Sequence, residues 1–251
     1  MPGFRRYKER LRELLAGPDW ESGLTSLADW PARDLLSPLL SLLLAPGEGK
    51  WRAVTALGLT VARLAGENWE PARVLLRRLM WNLSEESGTL GWGSPEAMGE
   101  ILACHDGLAQ EFHRVLCSYI HDSAEPGNYI DHAPLRLGAC WAVARLAQAR
   151  PLLVRPAWPD LVLCLDSRGP SPGDCAPALR GVAAWGLSLL ARADIPPADL
   201  DSASRVLSAL RDDASPFELF RNRRLETLTV AEVAAEALSA LRAAVSSLRA
   251  D

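Results

Sequence analysis

Four glutamates on either side of a glycine-rich loop are the residues of this chain best placed to do chemistry. The stretch from Trp81 to Ile101 reads WNLSEESGTLGWGSPEAMGEI. Glu85 and Glu86 adjoin in the loop, and Glu96 and Glu100 fall on one face of the helix that follows, four residues apart. A carboxylate in such a setting acts as a general acid near neutrality only if its pKa is raised. The bland role for Glu96 is stabilisation of the positive helix end, since Ser94 suits an N-cap and Pro95 the first helical position. Asn82 and Trp92 flank the glutamates. An exposed indole in a loop stacks on a ligand or anchors a partner, whereas a buried one packs the core. Gly88, Gly91 and Gly93 permit left-handed turns or close backbone approach.

A second loop, HDSAEPGNYIDHAP, carries His121, Asp122, Asn128, Tyr129, Asp131 and His132. With Glu85 and Glu86 these are oxygen and imidazole donors of the kind metals use. No HxxxH-like spacing accompanies them, so the sequence assigns no metal and no cofactor. His105 and His113 lie within helical runs and read as ordinary hydrogen-bonded positions. GxSxG, P-loop and dinucleotide fingerprints are absent. Whether the chain is an enzyme stays open at this point.

The elements that must hold these residues are helices arranged as a repeat. KWRAVTALGLTVARLA from Lys50, SPEAMGEILACHDGLA from Ser94, LRLGACWAVARLAQA from Leu135, LRGVAAWGLSLLARA from Leu179 and LTVAEVAAEALSALRA from Leu228 are five alanine-rich helices spaced by about forty residues. Arg52, Arg136 and Arg180 share an early position in three of them. Between them run leucine-rich helices beginning near Leu35, Pro71, Gln110, Trp158 and Ser204, with apolar residues at three- and four-residue spacing. Such pairs bury their inner faces only against neighbours, which describes an all-α solenoid of about five helix pairs. Phe4 to Leu15 forms an N-terminal capping helix, and the whole of 1–251 is expected to be one domain. Trp81, Trp141 and Trp185 fall inside helices and read as packing residues.

Asp131-His-Ala-Pro134-Leu-Arg136-Leu-Gly-Ala139 resembles the turn-and-helix start of HEAT repeats, particularly the phycobilin-lyase HEAT-like type found in uncharacterised bacterial proteins. Asp174-Cys-Ala-Pro177-Ala-Leu-Arg180-Gly-Val-Ala183 fits with one extra residue, and the other three repeats match in part. The resemblance implies that Asp131 and Asp174 pair with backbone amides and the arginine ladder. It also implies a concave protein- or peptide-binding surface, with lyase activity as a rarer outcome.

Composition narrows the remaining classes. The net charge of −4 disfavours nucleic acid as a partner. Five cysteines, odd in number and without a CxxC pair, read as reduced thiols of a cytoplasmic protein. The apolar run from Leu35 to Ala45 is too short to span a membrane. Four loops, near 84–94, 121–133, 166–175 and 212–228, exceed the short turns that a repeat needs and are expected to share one edge. In the last, Phe217 and Phe220 are expected to pack on the final repeat and Arg221, Arg223 and Arg224 to form a basic patch. The expected function is therefore protein or peptide binding by the acidic and aromatic edge of repeats two and three: Asn82, Glu85, Glu86, Trp92, Glu96, Glu100, His121, Asp122, Asn128, Tyr129 and His132. The alternative is lyase-like or acid–base catalysis by carboxylates of the same loops.

Overall fold

A computed structural model describes residues 2–84, 91–123, 127–166, 176–193 and 200–248. The helices gather into two compact units, one of residues 1–109 with 222–224 and one of 110–221 with 225–251. All ten helices expected from periodicity are present, in the expected order, as five consecutive pairs. The fold is all-α, an array of consecutive helix pairs of the α-solenoid class.

In the first unit α1 (Pro2–Ala16) precedes a short α2 (Trp20–Gly23), then the pair α3 (Ala32–Leu42) and α4 (Glu48–Glu67), and then α5 (Trp69–Trp81) and α6 (Ser94–Cys104). Helix α4 is the centre of this unit and packs on α3, α5 and α6. Its small residues make that possible: Ala53, Ala56 and Gly58 lie among Val54, Leu57 and Val61, and all are buried. A helix apolar around most of its circumference must be enclosed. Leu11, Leu35, Leu39, Leu57, Leu76 and Leu79 are fully buried in this unit, and each such leucine contributes roughly 1.5–3 kcal/mol. Trp81 departs from the expected packing role, because it ends α5 with 55% of its surface exposed.

In the second unit α7 (Asp106–Ser118), counted here from Gln110, leads to α8 (Ala133–Ala149). A short α9 (Pro151–Val154) precedes the pair α10 (Trp158–Cys164) and α11 (Ala176–Arg192), and α12 (Leu200–Ala209) pairs with α13 (Val230–Leu248). Helix α11 takes the central place, between α8 and α13. Trp141 and Trp185 meet there, both buried, with ring centroids 6.4 Å apart.

The connection between α12 and α13 is a two-stranded hairpin rather than an irregular loop. Strand β1 (Pro216–Arg221) pairs with β2 (Arg224–Thr229) across a two-residue turn, Asn222–Arg223, in which both residues have positive φ. That left-handed pair matches the right-handed twist of the strands.

The three early arginines serve the fold. Arg52 donates to the carbonyls of Leu15 (2.8 Å) and Gly17 (3.3 Å), oxygens left over at the end of α1. Arg136 is buried and donates to the carbonyls of Ile130 and Asp131, at 3.1 and 2.9 Å. It takes the backbone of Asp131, not the carboxylate expected from the HEAT-like turn, and that residue is exposed. Arg180 holds the Asp213 carboxylate through two bonds of 3.0 and 2.6 Å. Asp174 lies outside the described residues. Among the described residues, no helix is long and apolar enough to cross a membrane.

Candidate functional site

The turn from α5 into α6 is pinned by two glycines. Gly93 stands at φ +77° and enters α6, so Ser94 is the first helical residue and not the N-cap that the sequence suggests. A Cβ on Gly93 would lie 2.8 Å from that of Leu43, and one on Gly91 would lie 2.5 Å from the carbonyl oxygen of Asn82. The chain can therefore turn tightly over the end of α3 only with glycine at both positions. Between them stands Trp92, which is 42% exposed. Its ring, Asn82 and Arg78 border a cleft of about 380 Å³ whose apolar wall includes Leu40 and Leu44. Leu44 is 67% exposed, so two large apolar side chains face solvent across one opening.

Glu96 and Glu100 do not stand on this ledge. Both are buried, at 4% and 6% exposure, in the seam between α4 and α6. Lys50 Nζ reaches Glu96 Oε1 at 2.5 Å, while Glu96 Oε2 is buried with no partner among the described residues. The stem of Glu100 lies against Gly58, where an added Cβ would sit 2.5 Å from its Cγ, and its Oε1 accepts the Cys104 thiol at 3.6 Å. Glu96 thus ties α6 to Lys50 of α4, and the Glu100 carboxylate bonds within its own helix. Glu85 and Glu86 lie outside the described residues.

In the second unit the connection after α7 is tied down at several points. Ile130 N–H donates to the Tyr119 carbonyl (3.1 Å), and Asn128 Nδ2 donates to Ser118 Oγ (3.0 Å). Arg136 sits over the Tyr129 ring, 5.4 Å from its centroid. Burial raises the Tyr129 hydroxyl's pKa, with Arg136 opposing the shift. Asp122, Asn128 and His132 are exposed along this segment.

His121 is the residue of the second loop that gains a partner invisible in the sequence. Its Nδ1 donates to Asp160 Oδ1 on α10, 2.8 Å away. Asp160 is buried, and burial raises its carboxyl pKa, with the His121 hydrogen bond working against that rise. The pair lines a cavity of about 490 Å³ together with Arg114, Cys117, Leu152 and Pro156. Cys117, near the end of α7, lines the same cavity. Burial pushes its thiol up to about 12, and the Asp160 charge adds to that. The thiol therefore stays protonated near neutrality and offers no ready nucleophile. Among the described residues, no three His, Cys, Asp or Glu side chains converge as a metal site would require.

The hairpin arginines are already engaged. Arg221 pairs with Glu226 (2.9 Å) and Glu236 (2.7 Å), and Arg223 pairs with Glu21 (3.2 Å). The basic patch expected there is thus largely neutralised. Phe217 and Phe220 are buried, the first against α11 and the second beside Trp141 of α8. The Phe217 ring fills the notch at Gly181, where a Cβ would lie only 2.0 Å from the ring, and Trp141 Nε1 donates to the Phe220 carbonyl at 2.7 Å. Sequence reasoning missed Lys50, Arg78, Leu44, Arg114 and Asp160 as members of these sites. None carries a motif, and each is brought in from another helix or turn.

No family of known sequences matches the chain, and no curated protein does. Among solved structures it is similar to an engineered protein from a structural genomics consortium, at a TM-score of 0.52 and 16% identity over 94% of this chain and 90% of that one. A designed armadillo repeat protein in complex with the peptide (KR)4 gives a TM-score of 0.47 at 16% identity, over 92% and 98% of the two chains. An archaeal HEAT-like repeats protein from Thermococcus onnurineus NA1 gives 0.36 at 13% identity, over 95% and 98%. At these identities the likeness is one of fold alone.

Proposed function

We propose that this chain is a cytoplasmic scaffold that binds another protein or a peptide, with recognition built on the long connections of its second and third helix pairs. The observation that carries the reading is the ledge at Trp92: an exposed indole and an exposed Leu44 across one cleft, on a backbone fixed by Gly91 and Gly93. A rigid aromatic anchor beside an apolar wall is the form that binding hot spots take. Asn82 supplies a polar group for the rim, and Glu85 and Glu86, outside the described residues, follow it in the sequence. In the second unit the exposed His121, Asp122, Asn128 and His132, with the half-buried Tyr129, supply a further polar surface. The free thiols Cys104, Cys117, Cys140 and Cys164 suit a reducing compartment, and the net charge of −4 disfavours nucleic acid as the partner. The acid–base alternative loses its helical carboxylates, because Glu96 and Glu100 are enclosed in the α4–α6 seam.

The test is selection of peptides from a random display library against the full chain, followed by affinity measurement on variants. Trp92→Ala and the double variant Glu85→Ala/Glu86→Ala should each weaken a selected peptide by about tenfold or more, the range of a hot-spot loss. Unchanged affinity in both folded variants, or a library that yields no binder, would count against the scaffold reading.

A further inference from the structure

The cavity beside His121 has the composition of a small-molecule site, and it shares only His121 with the peptide reading, whose Trp92 ledge belongs to the other unit. Its volume, about 490 Å³, falls within the roughly 300–1,000 Å³ usual for ligand pockets. One wall is apolar: Leu152, Leu153, Pro156 and Ala157. Leu152 is 72% exposed, so part of this apolar wall is open to solvent. The lining also includes Arg114 and Cys117 of α7 and His121, three residues beyond that helix's end.

The charges of this rim are unequally committed. Asp160, the acid lining the cavity, is buried and already accepts the His121 Nδ1 proton. With Nδ1 so engaged, Nε2 of His121 is the ring atom left to meet a ligand, as a donor to an anion when the ring carries both protons, and more than half of the side chain is solvent-accessible. Arg114 is exposed and has no ion-pair partner among the described residues. In a chain that is acidic overall, this places a permanent cation and an oriented imidazole at the mouth of an apolar cavity. The buried aspartate orients the imidazole, and the Arg114 guanidinium in the same lining offsets the charge of its carboxylate.

We propose that this cavity binds a small amphipathic carboxylate, with its hydrocarbon body against the Leu152–Pro156 wall and its head group between Arg114 and His121. A guanidinium pairs with a carboxylate through charge-assisted hydrogen bonds, and the apolar wall discriminates against carboxylates that lack a tail.

Decanoate, below the concentration at which it forms micelles, is the probe. Calorimetric titration of the full chain should show saturable binding of decanoate, with decanol and the decyltrimethylammonium cation at least about tenfold weaker, because the alcohol carries no charge to pair with Arg114 and the cation is repelled by it. Arg114→Gln and His121→Gln should each reduce the preference for decanoate over decanol while leaving decanol binding within about twofold. Circular dichroism confirms that these variants are folded, as expected for substitutions of exposed side chains. Equal binding of the three probes, no binding of decanoate to the wild-type chain, or a preference that survives both substitutions would each overturn the assignment.

Discussion

Two connections in this molecule join the first helix of a pair to the second, and they spend their aromatic residues in opposite ways. Between α5 and α6 the chain turns on Gly91 and Gly93 and leaves Trp92 42% exposed over a cleft. Between α12 and α13 it forms a hairpin that buries Phe217 and Phe220 to 6% and 4%. What separates the cases is the surface each aromatic meets. Gly181 opens a notch on α11 that the Phe217 ring fills, whereas Trp92 borders an open cleft whose facing leucine, Leu44, is itself exposed. The hairpin aromatics contribute to stability, whereas the exposed indole is the anchor of the binding edge proposed above.

That contrast breaks most readily at the hairpin. Phe217→Ala should cost about 4 kcal/mol, the usual loss for a buried phenylalanine, and Gly181→Ala should destabilise as well because its new methyl group collides with the ring. Urea unfolding would measure both. A cost below about 1 kcal/mol for Phe217→Ala would mean that the hairpin is not a packed element. Next in size is the support beneath the Trp92 ledge. Lys50→Met strands the buried Glu96 carboxylate and should cost roughly 3 kcal/mol, whereas Lys50→Met/Glu96→Met should cost less. A double-mutant cycle that finds the two substitutions additive would deny the pair any coupling.

Acid sharpens the comparison further. Burial alone would raise the pKa of Asp213, at the foot of the hairpin, but hydrogen bonds from Ser215 and Arg180 outweigh it and hold the carboxyl below its ordinary value. Its contribution is therefore full above the unfolded aspartate value and is lost as pH falls through the depressed folded one. Asp160, beside the His121 cavity, is shifted upward by burial and has the opposite sign: its contribution is present at low pH and lost as pH rises through the raised value. Asp213→Asn should thus cost more at pH 7 than Asp160→Asn, and it should flatten the acid limb of the stability profile. The reverse order would contradict both assignments. The smallest expected effect belongs to Trp92→Ala, about 1 kcal/mol or less, because so much of the ring already faces water.

Helix positions were legible in the chain because apolar spacing of three and four residues reports burial directly. The shared arginines were legible as structural too, since Arg52, Arg136 and Arg180 all hold neighbouring turns. The hairpin was missed although its signal was present. PFELFR alternates, and Asn222 suits a left-handed turn, but Arg223 stands where glycine would have marked the turn plainly. Glu100 drew attention by its spacing from Glu96, yet its place depends on Gly58, 42 positions earlier in the chain. The His121–Asp160 pair is likewise a contact across 39 residues between types that form no motif. Periodicity reports which face is buried. It does not report which side chain on another helix will meet it.

The measurement that tests the central claim most directly is hydrogen–deuterium exchange of the full chain, with and without a peptide selected to bind it. Slower exchange confined to the backbone around 78–94, with 121–132 as a second protected segment, is the result this account predicts. Protection on α11 and the hairpin, with the Trp92 turn exchanging as fast as before, would contradict it.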